Sequence, residues 1–167
     1  MHKTIYLLIG QKGSGKSTIG HLFEKHFNIP FIRVEDWVKA MRENRKVDNS
    51  NYIKEAFGVI EKGIIQILED TNSLVFESTG LTGYFDKMLS KLKSLAKVIL
   101  IKVSAHAETC LERVKSRDQK IHINVSDEQV NHINQMVAEK EFDFEFEIDN
   151  NLKTQEELVE IIRKIVF

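Results

Sequence analysis

The apolar run Ile5–Ile9 ends at a glycine that opens the octet Gly10-Gln11-Lys12-Gly13-Ser14-Gly15-Lys16-Ser17. A glycine, any four residues, then Gly-Lys-Ser constrains the fold strongly, because it works only where a buried strand turns sharply into a helix. Gly10 ends the strand where a side chain would clash. Gly13 and Gly15 tolerate positive φ, so successive backbone N–H groups can point into one concavity. A helix starting near Lys16 adds its unpaired N–H groups and the positive end of its dipole. The stretch Gly10, Gln11, Lys12, Gly13, Ser14, Gly15, Lys16, Ser17 and Thr18 is therefore expected to cradle the phosphates of a nucleoside triphosphate. In that cradle Lys16 reaches the β and γ phosphates, Ser17 suits a magnesium ion, and Thr18 can donate to the α phosphate. An ordinary glycine turn would account for Gly10 and Gly15, but not for a lysine and a hydroxyl directly after the last glycine.

A dinucleotide site fits less well. Gly13-Ser14-Gly15 begins a Gly-x-Gly pattern and Glu35 lies about twenty residues on. The third glycine position, however, is Thr18, and Lys16 would intrude on the close helix-to-strand approach.

The remaining pattern alternates short strands with amphipathic helices. Strands are expected at Thr4–Ile9, Phe31–Val34, Leu74–Glu77, Val98–Val103 and Phe144–Ile148. The first and fourth are continuous apolar runs, as in strands buried on both faces. Helical spacing covers Lys16–Phe27, Asn51–Glu69, Tyr84–Leu95, His106–Arg117, Asp127–Glu139 and Gln155–Val166. Thr154 with Glu157 forms a capping box for the last of these, and Ser126 or Asp127 can cap the one before. Strands alternating with helices imply right-handed crossovers and a parallel sheet covered on both sides. The expected fold is three-layer α/β/α with a five-stranded parallel sheet, in one domain spanning residues 1–167.

Composition narrows the function classes. With 24 basic and 25 acidic residues mixed along the chain, the formal charge is −1. Such a balance argues against a nucleic-acid partner or a basic groove for nucleic-acid ends. The apolar run before the loop is too short for a membrane span or a signal core, so the cytoplasm is the expected location. The single cysteine, Cys110, fits a reducing compartment and reads as a small core residue. The histidines show no metal-ligand spacing, and no Asn-Lys-x-Asp motif for reading guanine occurs.

Three further stretches carry charged residues to expected cleft positions. Val34-Glu35-Asp36-Trp37 follows the second strand, and carboxyl ends of parallel strands are where ligands gather. Asp36 is the first candidate to face the cleft and Glu35 the second; Asp36 could equally cap the helix that follows. Val75-Phe76-Glu77-Ser78-Thr79-Gly80 is an apolar strand ending in an acid. Cys110-Leu111-Glu112-Arg113-Val114-Lys115-Ser116-Arg117-Asp118 places Arg113 and Arg117 four apart on one helix face.

On these four stretches the chain resembles the small phosphate-loop kinases, which include nucleoside monophosphate, shikimate and gluconate kinases. The resemblance implies the strand order 2-3-1-4-5, ATP with Mg2+, and transfer of the γ-phosphoryl group to a small hydroxyl or phosphate acceptor. It also implies roles. Lys16 neutralises the phosphates, Asp36 orients the acceptor, Ser17 and Glu77 serve the metal, and Arg113 or Arg117 completes the charge clamp. An acceptor-side cover is implied at about residues 36–70, with Trp37 and Phe57 as possible walls. A short lid is implied at about 117–126, with Lys120 as a further candidate, and an adenine loop at Asp149-Asn150-Asn151. Two shikimate kinase features are missing: the aspartate pair after the second strand and the glycine triplet after the third, where Ser78-Thr79-Gly80-Leu81 stands. The loop alone would also suit a regulatory ATPase that phosphorylates no metabolite.

Overall fold

The computed structural model describes residues 3–43, 49–117 and 126–167. Strands β1 (Thr4–Gly10), β2 (Phe31–Ile32), β3 (Ser73–Ser78), β4 (Lys97–Ser104) and β5 (Phe146–Asp149) form one sheet in the order β2-β3-β1-β4-β5. Every pairing is parallel. The order expected for the sheet is thus the one observed.

The sheet's two faces bury different residues of the same strands, as the two-residue side-chain period requires. Tyr6, Leu8, Ile99 and Ile101 pack against helices α1 (Lys16–Phe27) and α7 (Gln155–Val166). Ile5, Leu7, Phe76 and Leu100 pack against α2 (Val34–Glu43), α3 (Asn49–Asp70) and α4 (Gly83–Leu95). Phe23, Phe76 and Phe85 are fully buried, each contributing about 2–3 kcal/mol of apolar burial. Helices α5 (Ala107–Lys115) and α6 (Asp127–Glu139) lie near the mouth of the phosphate loop.

One element differs from the sequence reading. The second strand stops at Ile32, and a helix begins at Val34 where strand was expected. The helical signal is Val34, Trp37, Val38 and Met41 at three- and four-residue spacing, with Glu35 and Asp36 in the first turn. Trp37 turns toward α3, where Gly63 leaves room: a Cβ there would lie 2.5 Å from the indole ring. The expected lid, including Lys120, lies largely outside the described residues.

Candidate active site

All five strands end at one edge of the sheet, and the loop between β1 and α1 occupies its centre. Gly13 and Gly15 have φ of 85° and 94°. Side chains there would also collide: a Cβ on Gly13 would meet the Cys110 carbonyl, and one on Gly15 the Asn150 amide. The loop is thus shaped by backbone freedom and by contacts from α5 and from the turn after β5.

Lys16 lies buried over its own loop, donating from Nζ to the carbonyls of Gly10 and Gln11 at 2.9 and 2.8 Å. Burial pulls its pKa down to about 8; the Glu77 carboxylate opposes this, while Lys12 and Arg117 reinforce it. Burial likewise lowers the pKa of Lys12, against the pull of Glu35 and Glu77. Two lysines and an arginine held this close repel one another, a cost a bound triphosphate would reverse.

The Ser17 hydroxyl donates to Glu77 Oε1 at 2.7 Å, tying the first turn of α1 to the end of β3. A hydroxyl beside a carboxylate is an oxygen donor set of the kind magnesium accepts, with waters and substrate phosphates completing the shell. The described residues contain no cluster of three or more His, Cys, Asp or Glu suited to holding a metal.

A cleft of about 480 Å³ opens from this point. It brings together Lys12, Lys16, Ser17, Glu35, Glu77 and Arg117, together with Val38, Tyr52, Phe57, Ile133 and other apolar side chains. Asp36 is not on its lining. Its carboxylate pairs with Arg33 at 3.2 Å, on the exposed side of α2. Because α2 starts at Val34, the helical turn carries Glu35 inward and Asp36 outward, so the first candidate gives way to the second. The two arginines also separate. Arg117 lines the cleft. Arg113 is instead bonded to the carbonyls of Gly13, Ser14, Asn150 and Asn151, at 3.3, 3.4, 2.9 and 3.5 Å. It supports the loop's outer side. Thr18 is exposed on α1, Phe57 lines the cleft, and Trp37 does not.

A profile of the shikimate kinase family matches residues 12–166. The chain belongs to the shikimate kinase family. A shikimate kinase of Aquifex aeolicus (strain VF5) is 31% identical over 115 residues, covering 68% of this chain and 67% of that protein. The solved shikimate kinase of Aquifex aeolicus superposes with a TM-score of 0.63 at 25% identity, covering 98% and 95% of the two chains. A putative kinase from Chloroflexus aurantiacus shares the fold, with a TM-score of 0.73 at 14% identity and 98% coverage of both. As a shikimate kinase family member the chain is an ATP-dependent phosphotransferase acting on a small hydroxyl acceptor, which replaces the regulatory ATPase.

Within this family member, the sequence reading missed two asparagines that hold the loop. Asn134 is buried on α6 and makes a paired contact with the Lys12 backbone: Lys12 N–H donates to Oδ1 at 2.7 Å, and Nδ2 donates to the Lys12 carbonyl at 3.0 Å. The available signal was its place four residues after the buried Val130, an amide on an otherwise apolar helix face. Asn150, expected in an adenine loop, is buried and donates to the Ser14 carbonyl at 2.9 Å. Cys110 is also buried, its thiol 3.8 Å from Gln11 Oε1, and burial raises its pKa.

Proposed function

We propose that the cleft transfers the γ-phosphoryl group of Mg-ATP to an acceptor hydroxyl held beside Glu35, with Arg117 steadying the transferred group. What carries this reading is the convergence of Lys12, Lys16, Ser17, Glu35, Glu77 and Arg117 on one cavity of about 480 Å³. Phosphoryl transfer asks little covalent chemistry of a protein; it needs in-line positioning and neutralisation of the equatorial oxygens. Lys16 provides charge from within the loop, and its own hydrogen bonds to Gly10 and Gln11 hold the ammonium at the cleft floor. Arg117, on the lining of the same cleft, supplies a planar guanidinium able to bond two oxygens at once. Glu35 orients the acceptor hydroxyl and accepts its proton as the new oxygen–phosphorus bond forms and the bond to ADP breaks. Magnesium, held through Ser17 with Glu77 behind it, would add positive charge at the β and γ phosphates.

The lone cysteine suits a reducing compartment, for which we take the cytoplasm; no described helix is long and apolar enough to cross a membrane.

Two measurements test the reading. ADP release with Mg-ATP should depend on one acceptor and yield its phosphorylated product. Lys16→Ala should abolish that turnover; persistence of full ATP affinity and turnover in the variant would remove the central role given to this loop.

A further inference from the structure

Two carbonyls hold the Lys16 ammonium, and they are anchored differently. Gly10 closes β1 opposite Val103, and a Cβ on it would lie 2.1 Å from the Val103 carbonyl, so the sheet fixes its place. Gln11 lies one residue beyond the paired part of β1. Its carbonyl accepts from Lys16 Nζ at 2.8 Å and from the Ser14 N–H at 3.2 Å. Past the strand, the Gln11 side chain takes over as anchor. Its Nε2 donates to the Asn134 carbonyl on α6 at 3.3 Å, and its Oε1 lies 3.8 Å from the Cys110 thiol on α5. The two helices are reached across 123 and 99 residues of sequence. Cys110 and Asn134 are both buried, where water competes poorly for such contacts.

We infer that Gln11 is a positioning residue for the phosphate loop: by spanning α5 and α6, its side-chain amide sets the direction of the carbonyl that holds Lys16. This rests on the phosphotransferase reading above and concerns the donor side alone. Any residue at position 11 would supply a carbonyl; the glutamine gives it a fixed place. An ammonium offered a well-directed acceptor is favoured in its charged form and kept at the cleft floor, where phosphates must meet it. Other groups also act on Lys16. Burial pulls its pKa down most; Glu77 on β3 pulls it up, Lys12 on the loop and Arg117 beyond α5 push it down, and Cys110 on α5 pulls it up. Glu35 on α2 shares the cleft. The Gln11 amide is neutral, so it enters this balance through the place of its carbonyl and not through charge.

Two substitutions in the intact chain test this. Gln11→Met keeps the length and bulk of the side chain but removes both polar contacts. Gln11→Asn keeps the amide but is one methylene too short to span both helices. Binding of a non-hydrolysable ATP analogue with magnesium is titrated across neutral and alkaline pH, and melting is followed without nucleotide. Each variant should bind the analogue about three- to tenfold more weakly at neutral pH, the scale of one hydrogen bond. Lys16 is charged below its pKa, so a less well-held ammonium should bring the alkaline fall in affinity to lower pH, by about half a unit or more. Neither substitution changes the formal charge, so that displacement reports the carbonyl. Weaker binding with an unmoved alkaline fall would make Gln11 merely structural and overturn the inference, as would unchanged binding in both variants. If Gln11→Met does not fold, Gln11→Asn decides, since it buries no new apolar group; failure of both to fold also makes the residue structural. If the unaltered protein binds no analogue, the phosphotransferase reading itself fails. If it binds and the variants match it, only the role of Gln11 falls.

Discussion

The side chain of Asn134 closes a two-bond clamp on the backbone of Lys12, accepting from its N–H at 2.7 Å and donating to its carbonyl at 3.0 Å. A helix 122 residues downstream therefore holds the phosphate loop from outside. The same helix places Ile133 on the lining of the cleft, so the loop and the cleft share one support. Neither bond survives in Asn134→Ala, and the Lys12 N–H is left without a partner. The variant should lose about 1–3 kcal/mol of stability and bind ATP more weakly. Asn134→Asp keeps the acceptor but sets a carboxylate against the Lys12 carbonyl, so it should rescue little. Thermal melting with and without an ATP analogue checks both.

Arg113 and Arg117 share one helical spacing but are expected to fail differently. Arg113 bonds carbonyls on both the loop and the strand-five turn, so Arg113→Ala should lower the melting temperature and ATP affinity together. Arg117 faces the cleft. Arg117→Ala should leave melting nearly unchanged while kcat falls roughly a hundredfold or more, the usual scale for removing one charge-stabilising donor. Partial rescue of kcat by Arg117→Lys would support its place on the transferred group. A collapse in stability instead would show it to be structural.

The asymmetry between these arginines explains what was legible in the sequence. The strands and the phosphate loop could be read because their signals are local: apolar runs such as Val98–Val103, and glycines at fixed spacing; the strand order followed only from the family resemblance those motifs carry. Helix α2 was misread at its start because Val34 is β-branched and follows a strand, although Trp37, Val38 and Met41 continue its helical stripe. That shift of one element decided which of Glu35 and Asp36 faces inward. Asn134, Asn150 and Arg113 act on residues a hundred or so positions away. No local pattern announces such contacts; only the folded arrangement of α5, α6 and β5 around the loop does.

Gly15 combines a φ of 94° with a crowded position against the Asn150 amide. Gly15→Ala forces a Cβ into the left-handed region and displaces the side chain that holds the Ser14 carbonyl. ATP affinity should drop by roughly tenfold or more, while the fold, read by circular dichroism, stays intact. Unchanged affinity would mean that the loop geometry is not what binds phosphate.

The buried Lys16 gives the enzyme an alkaline limit of its own. Its pKa, lowered to about 8 chiefly by burial, means the ammonium is charged below that pH and loses its proton above it. Phosphate binding requires the charged form, so ATP affinity should be flat at acid-neutral pH and fall as pH rises through about 8. At about pH 9 the weakening should be about tenfold if the bound lysine stays protonated. The Glu77 carboxylate is the main group holding that pKa up. Glu77→Gln can still accept from Ser17 but carries no charge, so the limb should move to lower pH, and the magnesium concentration for half-maximal rate should rise. Isothermal titration of an ATP analogue across pH, in both proteins, measures the limb. A limb that does not move would mean Lys16 and Glu77 are not coupled as their positions imply.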